Sequence, residues 1–292
     1  MPKLFLLAGA TASGKTEFAL RFAQQQHCEI LSCDASAFYR GMDIGTAKPT
    51  REEQQMVRHW GIDICEPNEY FSIKDFVRYA QRCVEEITQR GKNVLVVGGS
   101  GFYLKSFLEP VADEVSPSAE IQQEIADLEA VGGGKACWER LKALDPNVPF
   151  DWEVRNIRKV KKALGRCMAT SLSVQESLRR FQQQPVPYPS LPKVTLYLCV
   201  PLEVMKLRIR LRTHTMLQKG LIEEVRLLQE QGKLLPNRPA SLAIGYRETL
   251  AFLQNKLPFE ALESSIVKNT YALVKKQGTW FRHQIAFDRY LY

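Results

Sequence analysis

A glycine-rich segment near the N-terminus constrains the fold of this chain more than any other feature. It reads GATASGKT, from Gly9 to Thr16, and fits the pattern GxxxxGK[ST] at every fixed position. A largely apolar run at residues 3–8 precedes it, and a helical pattern at residues 16–26 follows it. Strand, glycine turn and helix are the context in which this motif cradles phosphate groups. The sequence therefore predicts a phosphate-binding loop at the end of a buried strand.

Each part of this loop has a physical task. The glycines let the backbone form a concave nest of N–H groups, and the N-terminus of the following helix adds partial positive charge. Lys15 supplies a cation for the terminal phosphates, and the Thr16 hydroxyl can bind Mg²⁺. We expect diphosphate binding by the whole segment: Gly9, Ala10, Thr11, Ala12, Ser13, Gly14, Lys15 and Thr16.

Short apolar runs alternate with helical patterns over the first third of the chain. Strands are predicted at residues 29–33 and 93–97, with a shorter piece at 61–64, and the clearest helix at 72–90. Such alternation is typical of a parallel sheet with crossover helices. We therefore expect an α/β fold in which a P-loop parallel sheet is flanked by helices.

The pattern changes after residue 111. Residues 112–190 show no convincing strand and are bounded by proline-bearing segments, whereas an apolar run at 194–200 indicates that the sheet resumes. Residues 202–286 are helical in character. We expect a core domain formed by residues 1–111 and 191–292, with a helical C-terminal part, and a helical insertion domain at 112–190.

The net charge of +8 is unevenly distributed. Residues 1–153 carry 16 Lys/Arg and 23 Asp/Glu, whereas residues 154–292 carry 24 and 9. The basic second half favours a nucleic-acid partner, because neutralised phosphates release counterions; solvated basic helix faces are the alternative. The insertion contributes a dense basic stretch, made up of Arg155, Arg158, Lys159, Lys161, Lys162 and Arg166.

Other features narrow the class of protein. The seven cysteines form no CxxC pair, and the four histidines are scattered, so no zinc-ligand spacing is present. This usage favours reduced cysteines in a cytoplasmic protein. No apolar run reaches the length of about 18 residues that suggests a membrane span, so we expect no membrane partner.

Asp34 follows the second predicted strand. Because ligands of open α/β sheets lie at the carboxyl ends of strands, Asp34 is expected to face the same crevice as the phosphate loop. There it could accept a proton from a substrate, although a turn-capping role is the alternative. The strand at 93–97 is followed by two glycines and not by the aspartate that many NTPases place there. Group transfer is favoured, while ATP binding by a small-molecule kinase stays open.

Four longer motifs follow in order along nearly the whole chain. They are YRGMDIGTAKP from Tyr39, VGGSGFYLK from Val97, IGYRE from Ile244 and KQGTWFR from Lys276. Together with GATASGKT, they resemble the tRNA dimethylallyltransferase (tRNA isopentenyltransferase) family. The resemblance implies a prenyltransferase that moves a dimethylallyl group from dimethylallyl diphosphate to N6 of the adenosine at tRNA position 37, next to the anticodon. It also implies Mg²⁺ as cofactor, and we expect a monomer.

The resemblance assigns roles by position. Lys15, Thr16 and Arg212 would hold the diphosphate, with Thr16 also binding Mg²⁺. Asp34 would accept the N6 proton and Ser100 would position the amine. Contacts with tRNA are implied for three groups of residues: Asp34, Ala35, Ser36, Ala37 and Ser100; Arg158, Lys159, Val160, Lys161 and Lys162; and Gly245, Tyr246, Arg247, Lys276 and Gln277.

Four positions depart from the family pattern: Ala35, Ala37, Gly165 and Tyr271. None lies in the phosphate loop, so they concern the acceptor more than the chemistry. Three alternatives therefore stay open: a divergent or non-catalytic RNA-binding paralogue, transfer to free adenine nucleotides, and a P-loop small-molecule kinase.

Overall fold

The computed structural model describes residues 1–112, 115–148 and 156–292. Arg155, one of the basic residues named above, lies outside these ranges. The described chain divides into two compact units. The first consists of Met1–Glu109 with Pro187–Tyr292, and the second is Pro110–Val186.

A parallel sheet organises the first unit. The described strands are β1 (Leu4–Ala8), β2 (Cys28–Ser32), β3 (His59–Trp60), β4 (Asn93–Gly98), β5 (Lys193–Leu198) and β6 (Arg289–Leu291). Their spatial order is β3-β2-β4-β1-β5-β6, and every pair is parallel. Because β1 lies between β4 and β5, the phosphate loop opens at the middle of the carboxyl edge. The expected α/β fold is confirmed.

Helices connect and cover these strands. The described helices are α1 (Lys15–Gln25), α2 (Arg51–Met56), α3 (Ile73–Gln89), α4 (Gly101–Lys105), α5 (Ala119–Leu144), α6 (Ile157–Thr170), α7 (Val174–Gln182), α8 (Leu202–Gln218), α9 (Leu221–Glu230), α10 (Pro239–Leu242), α11 (Tyr246–Leu253) and α12 (Phe259–Gln284). Helices α5, α6 and α7 belong to the second unit, and the others to the first.

Strand β1 is buried along its whole length. Leu4 and Leu6 belong to the apolar cluster that includes Phe76 of α3, whereas Phe5 and Leu7 belong to a second cluster with Leu20 of α1. Successive strand residues point to opposite faces, so both faces of the sheet are covered by helices. This explains why the run at residues 3–8 is almost continuously apolar.

The predicted third strand was wrong in position. Strand β3 occupies His59–Trp60, and the chain turns away directly after it, because Gly61 and Asp63 adopt left-handed φ values of 73° and 54°. The predicted helix at 72–90 is confirmed as α3. It begins at a capping box, in which Ser72 N donates to Asp75 Oδ2 at 2.9 Å and Asp75 N donates to Ser72 Oγ at 3.3 Å.

The second unit has its own apolar core. It is formed by residues from all three helices, among them Ile125, Trp138, Leu141, Val160, Leu164 and Val174. Gly133, with φ 61°, interrupts α5.

None of the helices in the described ranges is long and apolar enough to span a bilayer. All seven cysteines are described and all are free thiols.

Candidate active site

The phosphate loop has the backbone geometry that its glycines predict. Gly14 precedes α1 with φ 90°, a left-handed conformation that glycine adopts without strain. A Cβ at Gly9 would lie only 2.8 Å from Ser13 Oγ, so the loop closes tightly there. Ser13 N donates to Ala10 O at 3.2 Å across the turn. The loop therefore wraps closely at the N-terminus of α1, where an anion is favoured.

Two side chains of the loop can donate hydrogen bonds to a bound anion. The Ser13 hydroxyl is buried and has no hydrogen-bond partner within the described residues. Lys15 Nζ donates to Ala10 O at 2.7 Å, which holds the ammonium over the loop. A diphosphate would supply acceptors for both, so the arrangement fits the predicted ligand.

Lys15 belongs to an electrostatic cluster with Asp34 and Arg212. Burial lowers the pKa of Lys15 from its ordinary value of 10.5 to about 8; Asp34 opposes this shift and Arg212 adds to it. Burial also lowers the pKa of Arg212, again against the attraction of Asp34. Two cations are thus held close together near one carboxylate, and the pair of cations favours an anionic ligand.

Helix α8 contributes two arginines one turn apart. Arg208 Nη1 donates to Ser13 O at 2.9 Å and so braces the phosphate loop. Arg212 Nη2 donates to Thr46 O at 3.0 Å. The predicted arginine, Arg212, therefore reaches the cavity region, while Arg208 braces the predicted phosphate loop.

A cavity of about 540 Å³ opens beside the loop. The predicted site residues that line it are Thr11, Asp34, Ser36, Ser100, Arg212, Gly245, Lys276 and Gln277. An apolar part of the lining consists of Ile209, Met216, Leu242, Ile244, Ile266 and Leu273. The cavity therefore combines charged groups with an apolar wall.

Asp34 caps a turn and also faces the cavity. Its Oδ1 accepts a hydrogen bond from Ser36 N at 3.0 Å, which caps the turn after β2. The side chain also lines the cavity. Ser100 lies beside this turn, because Ala35 N donates to Ser100 Oγ at 3.4 Å. The structure thus brings the proposed base and the proposed amine-positioning residue together.

Gln277 of α12 ties two loops together. Its Oε1 accepts from Thr11 N at 2.9 Å, and its Nε2 donates to Gly99 O at 3.0 Å. Gly98 must be small, since a Cβ there would lie 2.6 Å from Cys33 O. The Trp280 ring fills the space next to Gly101. Gly98 at the end of β4 and Gly101 at the start of α4 therefore serve close packing, and Gln277 joins the phosphate loop to the loop that contains Ser100.

Other residues of the first unit that were predicted to contact tRNA differ from one another in their exposure to solvent. Ala37 is buried, and Tyr246 is fully buried with its hydroxyl donating to Glu224 Oε1 at 2.5 Å. Arg247 is exposed, and its Nε donates to Glu248 Oε1 at 2.6 Å. The side chains of Ala37 and Tyr246 therefore face the core and not solvent.

The residues of helix α6 that were predicted to contact tRNA lie on different faces of the helix. Val160 is buried in the core of the second unit, and Lys161 pairs with Glu129 of α5. Arg158, Lys159 and Lys162 are exposed. These three side chains form the basic surface of α6.

The segment YRGMDIGTAKP forms a loop around a buried lysine. Lys48 Nζ donates to Tyr39 O at 2.5 Å, to Asp43 Oδ1 at 2.8 Å and to Asp63 Oδ1 at 2.6 Å. Glu224 of α9 binds the same loop from outside the segment. Sequence reasoning missed Glu224, because no local pattern connects residues so far apart in the chain.

The residues present fit the Mg²⁺ ion that the family resemblance implies. The described residues contain no group of three or more His, Cys, Asp or Glu side chains that could hold a metal by themselves. Mg²⁺ typically takes one or two protein oxygens and completes its shell with water and substrate phosphate. Thr16 is exposed at the start of α1, and its hydroxyl can supply such an oxygen.

The chain is similar to known proteins over nearly its whole length. Residues 37–284 match the family model described as IPP transferase. The chain is 46% identical to the tRNA dimethylallyltransferase of Opitutus terrae over 289 residues, which cover 99% of this chain and 92% of that relative. The tRNA dimethylallyltransferase of Ralstonia pickettii is 34% identical and covers 96% of this chain, with 88% of its own length matched.

Solved structures show the same fold. The full-length tRNA isopentenylpyrophosphate transferase from Bacillus halodurans is 29% identical with a TM-score of 0.68, and the match covers 100% of this chain and 89% of that one. A eukaryotic dimethylallyltransferase acting on tRNA has a TM-score of 0.85 at 23% identity, over 96% of this chain and 70% of that one. By its family match and its curated relatives, the chain belongs to the IPP transferase family.

Proposed function

We propose that this protein transfers a dimethylallyl group from dimethylallyl diphosphate to N6 of the adenosine at tRNA position 37, next to the anticodon. The observation that carries this proposal is the cavity in which Asp34 and Arg212 meet the phosphate loop and an apolar wall. Its relatives are named tRNA dimethylallyltransferases. We therefore prefer prenyl transfer to the kinase alternative.

Donor binding uses both parts of the cavity. The loop N–H groups, Lys15 and Arg212 hold the diphosphate, and the apolar wall accommodates the five-carbon group. Thr16 would hold Mg²⁺, which when bound would supply positive charge that stabilises the leaving group. The apolar wall also keeps water from the allylic carbon, where positive charge develops.

Transfer exchanges one bond for another. The bond between the allylic carbon and the diphosphate oxygen breaks, and its electron pair leaves with the diphosphate. The N6 lone pair forms the new C–N bond, and the N6 proton passes to the Asp34 carboxylate. Lys15 and Arg212 stabilise the charge on the departing diphosphate; one such preorganised donor typically contributes ~2.7–4 kcal/mol.

The acceptor must be brought to this cavity. A base in a structured loop is turned out of its stack at a cost of a few kcal/mol. Arg158, Lys159 and Lys162 can contribute binding energy through contacts with tRNA phosphates. We place the reaction in the cytoplasm and expect the protein to act as a monomer.

The test uses labelled dimethylallyl diphosphate, Mg²⁺ and unmodified tRNA whose position 37 is adenosine. We expect label in the RNA without added ATP, and none in the same tRNA carrying guanosine at position 37. Adenosine monophosphate in place of tRNA tests the free-nucleotide alternative. ATP turnover without transfer of label would refute the proposal.

A further inference from the structure

One carboxylate holds the loop formed by residues 43–46. Glu224, in the first turn of α9, accepts hydrogen bonds from the backbone N–H groups of three consecutive residues. The donors are Asp43 N at 2.9 Å, Ile44 N at 2.7 Å and Gly45 N at 3.1 Å. Successive backbone N–H groups that converge in this way form a nest for an anion. Here the protein fills that nest with its own side chain.

Tyr246 fixes the position of this carboxylate. Its hydroxyl donates to Glu224 Oε1 at 2.5 Å, and the side chain is fully buried. The ring also lies against Gly45, where any Cβ would overlap it. Burial, followed by the contact with Glu224, raises the pKa of Tyr246 far above its usual range, so the phenol remains a donor. Glu224 and the loop are therefore locked together from the core side.

The locked loop leads directly to the diphosphate site. Thr46 is the next residue, and its carbonyl oxygen accepts from Arg212 Nη2 at 3.0 Å. The Thr46 hydroxyl donates to Met42 O at 2.6 Å, which closes the turn. Gly45, Thr46 and Arg212 all line the cavity. The Arg212 guanidinium has five N–H donors, so the bond to Thr46 leaves others for a diphosphate.

We propose that Glu224 is a positioning residue for prenyl transfer. It holds residues 43–46 so that the Thr46 carbonyl directs the Arg212 guanidinium toward the diphosphate of the donor. The inference rests on the proposed function, since a diphosphate donor is what gives Arg212 this task. Without Glu224 the loop N–H groups lose their acceptor, and Arg212 loses a fixed partner for its long side chain.

The first test is Glu224→Gln, which replaces one acceptor oxygen with an NH₂ group that cannot accept from the loop. We expect about tenfold weaker binding of inorganic pyrophosphate with Mg²⁺, and a similarly raised KM for dimethylallyl diphosphate, because a misplaced Arg212 binds poorly. Affinity for tRNA should change less than twofold. The matched control is Glu223→Gln, since the side chain of the neighbouring Glu223 is 67% exposed and forms an ion pair with Arg226 at 3.9 Å.

A double-mutant cycle separates positioning from general stability. If Glu224 acts through Arg212, the combination of Glu224→Gln with Arg212→Ala binds pyrophosphate no more weakly than Arg212→Ala alone. Independent, multiplied losses would overturn the proposal, as would wild-type pyrophosphate affinity in a folded Glu224→Gln protein.

Tyr246→Phe provides a second variant should Glu224→Gln fail to fold. It keeps the ring against Gly45 and removes one donor to Glu224, so pyrophosphate binding should weaken less but with the same selectivity. Equal losses of pyrophosphate and tRNA binding would overturn the positioning role. A wild-type protein that binds no dimethylallyl diphosphate would instead refute the proposed function.

Discussion

Raising the pH through 8 should weaken binding of the prenyl donor, because Lys15 loses its charge in that range. Burial lowers the pKa of Lys15 to about 8, with Asp34 opposing and Arg212 adding to the shift. A bound diphosphate stabilises the ammonium, so the complex keeps the proton that the free site gives up. Above pH 8, binding must therefore take up a proton, and its affinity falls.

The expected loss of affinity follows from the ionisation of Lys15 alone. With a pKa near 8, the charged fraction falls about tenfold for each further pH unit, so pyrophosphate binding at pH 9 should be about tenfold weaker than at pH 7. Titration calorimetry with pyrophosphate and Mg²⁺ at several pH values measures this directly. Lys15→Arg is the control, because arginine stays charged throughout.

The comparison with Lys15→Arg also removes the ionisation of pyrophosphate itself, which affects both proteins equally. The variant should bind more weakly at pH 7 but show a flatter dependence on pH. Parallel pH profiles for the two proteins would show that Lys15 does not titrate in this range, and would refute the reasoning.

The same shift predicts a cost in stability. Because the pKa of Lys15 is lower in the folded protein than its ordinary 10.5, the unfolded chain binds more protons between pH 8 and 10.5. The free energy of unfolding contributed by Lys15 therefore rises with pH over that window. At pH 7 the charged lysine costs about 3 kcal/mol, at 1.36 kcal/mol per pKa unit. Lys15→Met is expected to be inactive, and its free energy of unfolding in urea at pH 7 should exceed that of the wild type by up to about that amount. A lower free energy of unfolding in the variant would contradict this.

Three further variants test other parts of the site. Asp34→Asn preserves the turn cap but removes the base, so the single-turnover rate should fall at least about 100-fold while tRNA affinity is unchanged; full activity would exclude Asp34 as the proton acceptor. Gln277→Glu places a negative charge beside the phosphate loop and should raise the donor KM about tenfold; a change confined to tRNA binding would assign Gln277 to the tRNA surface. Arg158→Ala with Lys162→Ala should weaken tRNA binding and reduce its salt slope by about two, whereas Lys135→Ala, an exposed lysine of the same unit, should not; an unchanged slope in the double variant would place the tRNA surface elsewhere.

Local sequence patterns predicted the elements whose signals lie within a few residues. Strand β1, the phosphate loop and helix α1 were identified because the apolar run, the glycine spacing and the start of the helical pattern follow one another directly in the chain. The third strand was misplaced, since two paired residues are too few for a periodic signal and the turn at Gly61 resembles its continuation. Strand β6 was also missed, because a strand of three mostly exposed residues is too short to show a periodic apolar pattern.

The site was predictable where topology alone places a residue. Asp34 and the phosphate loop share the carboxyl edge of a parallel sheet, so their proximity follows from the fold class. The contacts that hold the site together join residues that are far apart in sequence, as in the pairs Thr11–Gln277, Thr46–Arg212 and Gly45–Glu224. No periodicity encodes such pairs. The burial of Tyr246 and Val160 depends in the same way on tertiary packing.

Packing also bears on the four departures from the family pattern. A Cβ at Gly165 would lie 3.0 Å from Pro117 Cγ and 3.3 Å from Ile125 Cδ1, so glycine there is matched to neighbours within the second unit. Tyr271 packs with the apolar cluster under the phosphate loop and lies 4.6 Å from Lys275 Nζ. Both residues thus have structural partners of their own.

Ala35 and Ala37 differ in the same respect. Ala37 is buried in the core, whereas Ala35 directly follows Asp34 and donates its N–H to Ser100 Oγ. A serine at 35 would add a hydroxyl to the residue that follows the proposed base, so of the four departures Ala35 is the one that adjoins a proposed reacting group in the chain. A change in acceptor specificity is therefore most directly attributable to Ala35, because its backbone N–H joins the turn that holds Asp34 to Ser100.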